Sequence, residues 1–155
     1  MRLSLLVLLC AIGVAPSHAH EFPSGALLVD HPVIRETPPR AQVAGGYLTI
    51  VNNGTEPDTL LSIESDVAKS VELHRSVITD GIASMRPLEG GLPVPAGASA
   101  RLGDDGTHAM FIEPVRPLVA GEEVPAVLVF EKAGRVPVVF NVEKITADQG
   151  IAHDH

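Results

Sequence analysis

VPAVLVFEKAGRVPVVFNV, residues 124–142, holds the two most apolar runs of the chain, Val124 to Phe130 and Val136 to Val142, joined through Lys132-Ala133-Gly134. Two such runs meeting at a glycine-bearing turn read as consecutive β-strands. The same texture extends upstream. His108 to Val115 (HAMFIEPV), Leu92 to Leu102 split around Ala96-Gly97, Ile82 to Pro87, Ser70 to Ile78 (SVELHRSVI), Thr59 to Ile63 and Gly46 to Asn52 (GYLTIVN) are short β-like runs. Asn53-Gly54 and Asp80-Gly81 are turn dipeptides between them. Ala26 to Arg35 opens the series, and its Pro32 suits an edge strand or a bulge. About eight to ten strands, with turns every eight to twelve residues or so, form the pattern of an antiparallel sandwich or small barrel. No stretch sustains a 3.6-residue period with caps. The expectation is one all-β domain over residues 22–145, an antiparallel β-sandwich or Greek-key barrel, followed by a polar tail at 146–155.

Composition agrees. The 155 residues suffice for a single core, and 13 prolines with 14 glycines argue against a helical bundle. Four Phe, one Tyr and no Trp leave that core to Val, Leu, Ile and Ala. Eleven basic residues against nineteen acidic ones exclude a nucleic-acid binder, which needs a basic footprint.

Residues 1–19 read as an export signal. Arg2 is the positive n-region, Leu3 to Val14 the apolar run, and Ser17-His18-Ala19 a small-residue cleavage site. The run is too short to span a bilayer. Cys10 sits in the middle of it behind Leu9, a poor fit for lipidation. Cleavage after Ala19 removes Cys10 and Arg2, so the mature chain has no cysteine and a net charge of −9. The expectation is a protein exported to the periplasm, without membrane insertion once the signal is cleaved.

Beyond the initiator the chain has only two methionines, Met85 and Met110. Alternation sorts their neighbours. With Val71 and Leu73 facing the core, Glu72 and His74 share the opposite face. With Ala109 and Phe111 facing the core, His108 and Met110 lie together outside. Met85 ends a short strand that the Asp80-Gly81 turn folds back beside the His74 strand. His74, Met85, His108 and Met110 are thereby candidates for one site. Two imidazoles and two thioethers form a soft, neutral ligand set that favours Cu(I). Thioethers also suit an exported protein, because they need no deprotonation and form no disulfide. A lone strand methionine is, on the other hand, most often core filler.

His74, ten intervening residues, Met85, twenty-two more, then His108-Ala109-Met110 resembles the signature of the PCu(A)C periplasmic copper chaperones, H-x10-M-x21-H-x-M, with one extra residue in the middle gap. Gly46 to Gly54 (GYLTIVNNG), Asp58-Thr59-Leu60, Val71-Glu72-Leu73-His74 and Leu128-Val129-Phe130-Glu131 resemble family blocks in family order. One departure is His31-Pro32, where the family has an Ala-Trp-like pair. The resemblance implies a cupredoxin-like β-sandwich that is not an enzyme. It implies Cu(I) held by His74, Met85, His108 and Met110, then passed by ligand exchange to an acceptor such as a cytochrome oxidase subunit or another copper chaperone. Family members with His-rich extensions suggest a Cu(II) role for His153 and His155. His20, as a mature N-terminus, would chelate Cu(II) through its amine and ring. The competing readings are a copper-dependent oxidase or monooxygenase and a metal-free structural sandwich. A blue-copper electron carrier is excluded for the mature chain, which lacks the cysteine ligand.

Overall fold

The computed structural model describes residues 21–103 and 106–145, and among them it is built of strands and turns alone. The strands are β1 (Glu21–Ser24), β2 (Leu27–Arg35), β3 (Val43–Asn52), β4 (Asp58–Glu64), β5 (Ala68–Thr79), β6 (Ile82–Pro87), β7 (Leu92–Val94), β8 (Ser99–Leu102), β9 (Thr107–Pro114), β10 (Glu123–Phe130) and β11 (Gly134–Glu143). They form one open sheet in the order β6-β5-β9-β3-β2-β11-β10-β4-β7, with β1 beside β2 and β8 beside β3. The segment 124–142 is indeed a hairpin, Val124 opposite Phe140 and Phe130 opposite Gly134.

Two strands carry the change of direction that lets one sheet enclose a core. One edge of β2 pairs with β1 over Leu27 to Asp30 and with β11 over Val33 to Arg35. The switch falls at His31-Pro32, where the register against β3 also shifts and His31 has φ of 51°. A proline costs no ladder bond at such a point. Pro32 therefore marks a bulge in an interior strand, not an edge. The β2–β11 pairing is parallel, whereas every other pairing among the described residues is antiparallel. β3 switches in the same way, from β9 over Val43 to Gly46 to β8 over Leu48 to Val51.

The enclosed cluster is aliphatic, as the composition requires. Val29, Ile34, Ile50, Leu60, Leu102, Leu118 and Leu128 are buried with Phe111 and Phe140, whose rings meet edge-to-face at 5.6 Å. Alternation governs the two strands that bear the candidate histidines, β9 and β5. In β9, Ala109 and Phe111 are fully buried while His108, Met110 and Ile112 are half-buried on the other face. In β5, Leu73 is buried and Val71 packs on the core, leaving Glu72 and His74 outside.

Candidate metal centre

The centre is assembled on the outer face of β6, β5 and β9, three neighbouring strands at one end of the sheet. The β5–β6 connection is Asp80-Gly81, with φ of 53° and 75°, between the paired residues Thr79 and Ile82. Positive φ at both positions is the two-residue turn that matches strand twist. It fixes the hairpin register, so Met85 lies opposite Ser76 and Pro87 opposite His74. On the other side of β5, His74 pairs with His108 and Glu72 with Met110.

Residues directly opposed in a sheet share a face, and diagonal neighbours stand roughly 7–8 Å apart, within reach of long side chains. His74 is therefore the hub. His108 is its direct partner, Met110 its diagonal neighbour on β9, and Met85 its diagonal neighbour on β6. The two imidazoles meet edge-on, ring centroids 6.4 Å apart and planes at 80°. Met110 is half-buried, while Met85 on the outermost strand is 57% exposed.

The ring nitrogens carry the most specific information. Nε2 of His74 donates to Oε2 of Glu72 at 2.8 Å, and Nδ1 of His108 donates to the Gly106 carbonyl at 2.9 Å. A carboxylate or a carbonyl oxygen only accepts, so each hydrogen sits on the nitrogen facing its acceptor. The opposite nitrogens, Nδ1 of His74 and Nε2 of His108, then carry free lone pairs. Both are buried and neither has a hydrogen-bond partner. Buried polar atoms are normally satisfied, and two orphans on adjacent rings need an explanation. Metal-binding histidines have this arrangement, one nitrogen held by a carboxylate or main-chain oxygen and the other turned to the ion. The donor set thus fits a soft cation. Among the described residues no three of His, Cys, Asp or Glu gather into an alternative cluster.

The Gly106 carbonyl accepts a second bond, from the Ser76 N–H at 3.0 Å. Gly106 has φ of 71°, and an added Cβ there would lie 3.1 Å from Ser76 Cβ and 3.2 Å from its oxygen. Conformation and space both call for glycine. Neither this carbonyl nor the task of Glu72 follows from ligand-type residues in the sequence. The available signal is spacing, since Glu72 lies two residues from His74 on an alternating strand. His20, His153 and His155 lie outside the described residues.

The same fold recurs among solved structures. The chain is similar to a copper-bound PCuAC domain from PmoF2 (TM-score 0.68, 25% identity, covering 81% of this chain and 99% of that one). It is also similar to the Cu(I) form of DR1885 from Deinococcus radiodurans (TM-score 0.60, 26% identity, covering 81% of each chain). The all-β, cupredoxin-like architecture is shared with these neighbours. A curated relative, the putative lipoprotein Lxx21020 of Leifsonia xyli subsp. xyli (strain CTCB07), is 29% identical over 94 residues. That match covers 61% of this chain, which spans only 57% of the relative's length. A family model matches residues 27–142, nearly the whole described region, and on that match the chain belongs to the family of putative lipoprotein LpqE-like proteins.

Proposed function

We propose that this protein is an exported copper chaperone of the PCu(A)C type, not an enzyme. Its cargo is Cu(I), held by Nδ1 of His74, Nε2 of His108 and the thioethers of Met110 and Met85. The observation that carries this reading is the pair of buried, unpartnered ring nitrogens on facing imidazoles, each aimed by a hydrogen bond at its far side. The thioethers favour Cu(I) over Ca, Mg or Zn, and neutral imidazole suits copper as well. Similarity to a copper-bound PCuAC domain and to a Cu(I)-bound protein supports the same cargo.

Delivery would be ligand exchange, with an acceptor's donor atoms entering before those of the chaperone leave. Met85 is the ligand that solvent and a partner reach first, because it stands exposed on the end strand while both histidines and Met110 lie further in. The acceptor is another copper-binding protein, such as a cytochrome oxidase subunit or a second chaperone. The apolar run 3–14 ahead of Ser17-His18-Ala19 supports export to the periplasm, and the lipoprotein naming of the relatives agrees with the cell envelope.

The test is a Cu(I) titration of the mature protein beside a His108→Ala/Met110→Leu double variant. One equivalent should bind to the first and none to the second. No Cu(I) binding by the native protein, or equal binding by the variant, would overturn the reading.

A further inference from the structure

The two histidines are held in different ways. His108 is oriented by a main-chain oxygen that no side-chain change at its own position can remove. His74 is oriented by one carboxylate, that of Glu72. We infer that Glu72 is the positioning residue of the centre: it locks His74 in the Nε2–H form, so that the Nδ1 lone pair is presented to the copper. This rests on the reading of the site as a Cu(I) centre.

Three observations carry it. Glu72 and His74 are two apart on β5, so alternation puts both on the outer face, and the Oε2···Nε2 contact is 2.8 Å. Among the described residues, Glu72 forms no ion pair with a lysine or arginine, and its carboxylate bonds the His74 ring. Its carboxylate is engaged by the imidazole, where Glu64 and Glu122 are engaged by Arg135 and Arg116. Finally, the atom that this contact frees is the one the fold leaves buried and unsatisfied. The His74 side chain is only 15% exposed, so its Nδ1 faces inward while Nε2 points out to Glu72.

Neutral imidazole exchanges its proton between the two nitrogens, and a ring without an acceptor populates both forms. In the Nδ1–H form the inward nitrogen has no lone pair to offer. Removing the acceptor therefore penalises metal binding without moving any ligand. Loss of such an outer partner usually lowers metal affinity about 10–100-fold. The negative charge beside the ring adds to the effect by making the imidazole a better donor to a cation.

Glu72→Leu and Glu72→Gln separate these contributions. Glutamine keeps an oxygen that accepts from Nε2–H, whereas leucine keeps only the bulk. Two-bond nitrogen–proton NMR of the metal-free protein reads the His74 tautomer directly, with no copper present. The native protein and Glu72→Gln should show His74 protonated on Nε2 alone, and Glu72→Leu should show a mixture of forms. Cu(I) competition should then show affinity lowered about 10–100-fold in Glu72→Leu and less in Glu72→Gln. A His74 tautomer unchanged in Glu72→Leu, or a Cu(I) affinity within about twofold of native in a variant whose tautomer has become mixed, would overturn the inference. If the native protein bound no Cu(I), the function proposed above would fail, and the tautomer of the metal-free variants would still decide whether Glu72 sets the ring.

Discussion

Asp58 illustrates how much a single side chain holds at the residue scale. It opens β4, is nearly buried, and accepts from the N–H groups of Thr59 (2.7 Å), Lys132 (2.9 Å) and Ala133 (2.9 Å). It thereby clamps the β10–β11 turn onto a strand more than seventy residues earlier. Burial opposes its ionisation, but the backbone donors of Lys132, Ala133 and Thr59, backed by the Lys132 charge, hold its carboxyl below the usual carboxylate range. A carboxyl lowered on folding stabilises the native state above its unfolded value of about 4, and that contribution is lost as pH falls through the folded value. Asp58→Ala should cost about 1–3 kcal/mol at pH 7, chiefly by stranding buried donors. The deficit should shrink below about pH 4. Urea unfolding of both proteins at pH 7 and pH 3 measures this, and an equal deficit at both would count against the ionised clamp. The sequence marks Asp58 only as part of a family-like block, because its three donors come from a turn brought near by tertiary pairing.

Within the elements that bear the site, legibility depends on how local each pairing is. The Asp80-Gly81 turn fixes the β5–β6 register by itself, so Met85 opposite Ser76 is readable from a few residues. The pairing of His74 with His108 joins positions 34 apart in the chain, with β6, β7 and β8 between them, and no local signal sets it. Alternation gives the face of each histidine but not the level at which the strands meet. The β8–β9 turn closes that gap, since its Gly106 carbonyl bonds both Ser76 on β5 and the His108 ring. Gly106→Ala places a side chain at φ of 71° against the Ser76 backbone. It should lower stability by about 1–3 kcal/mol, the range for a strained non-glycine residue. It should also weaken Cu(I) binding by displacing the acceptor of His108. Thermal unfolding and Cu(I) competition on the one variant check both effects, and an unchanged Cu(I) affinity in a destabilised protein would detach the turn from the site.

For the whole molecule, core and site occupy opposite faces of the same strands. Phe111 and Ala109 are packed inside while His108 and Met110 look outward, so the core needs no metal to form. Copper should then act by mass action on an already folded protein. Free Cu(I) at a hundredfold excess over its Kd should add about 2.7 kcal/mol, or roughly 8–12 °C in Tm for a domain of this size. His108→Ala/Met110→Leu should abolish that increment while leaving a cooperatively folded metal-free protein. Differential scanning calorimetry with and without Cu(I) reads both, and an unfolded metal-free protein would contradict the separation. The all-β character and its aliphatic core were legible because they depend on strand texture and composition. The parallel contact of β2 with β11 was not, because a proline at position 32 announces an interruption and not which strand waits beyond it.

The doubly used oxygen of Gly106 has one last implication. The Ser76 N–H and the His108 ring lean on the same atom, and Ser76 is the residue facing Met85. A push that swings the β5–β6 hairpin moves the exposed thioether and also tugs the anchor of the second imidazole. In the proposed Cu(I) centre the grip would then be geared: prising away Met85 would loosen His108 in the same stroke, and an acceptor that moved the hairpin would work against a single latch.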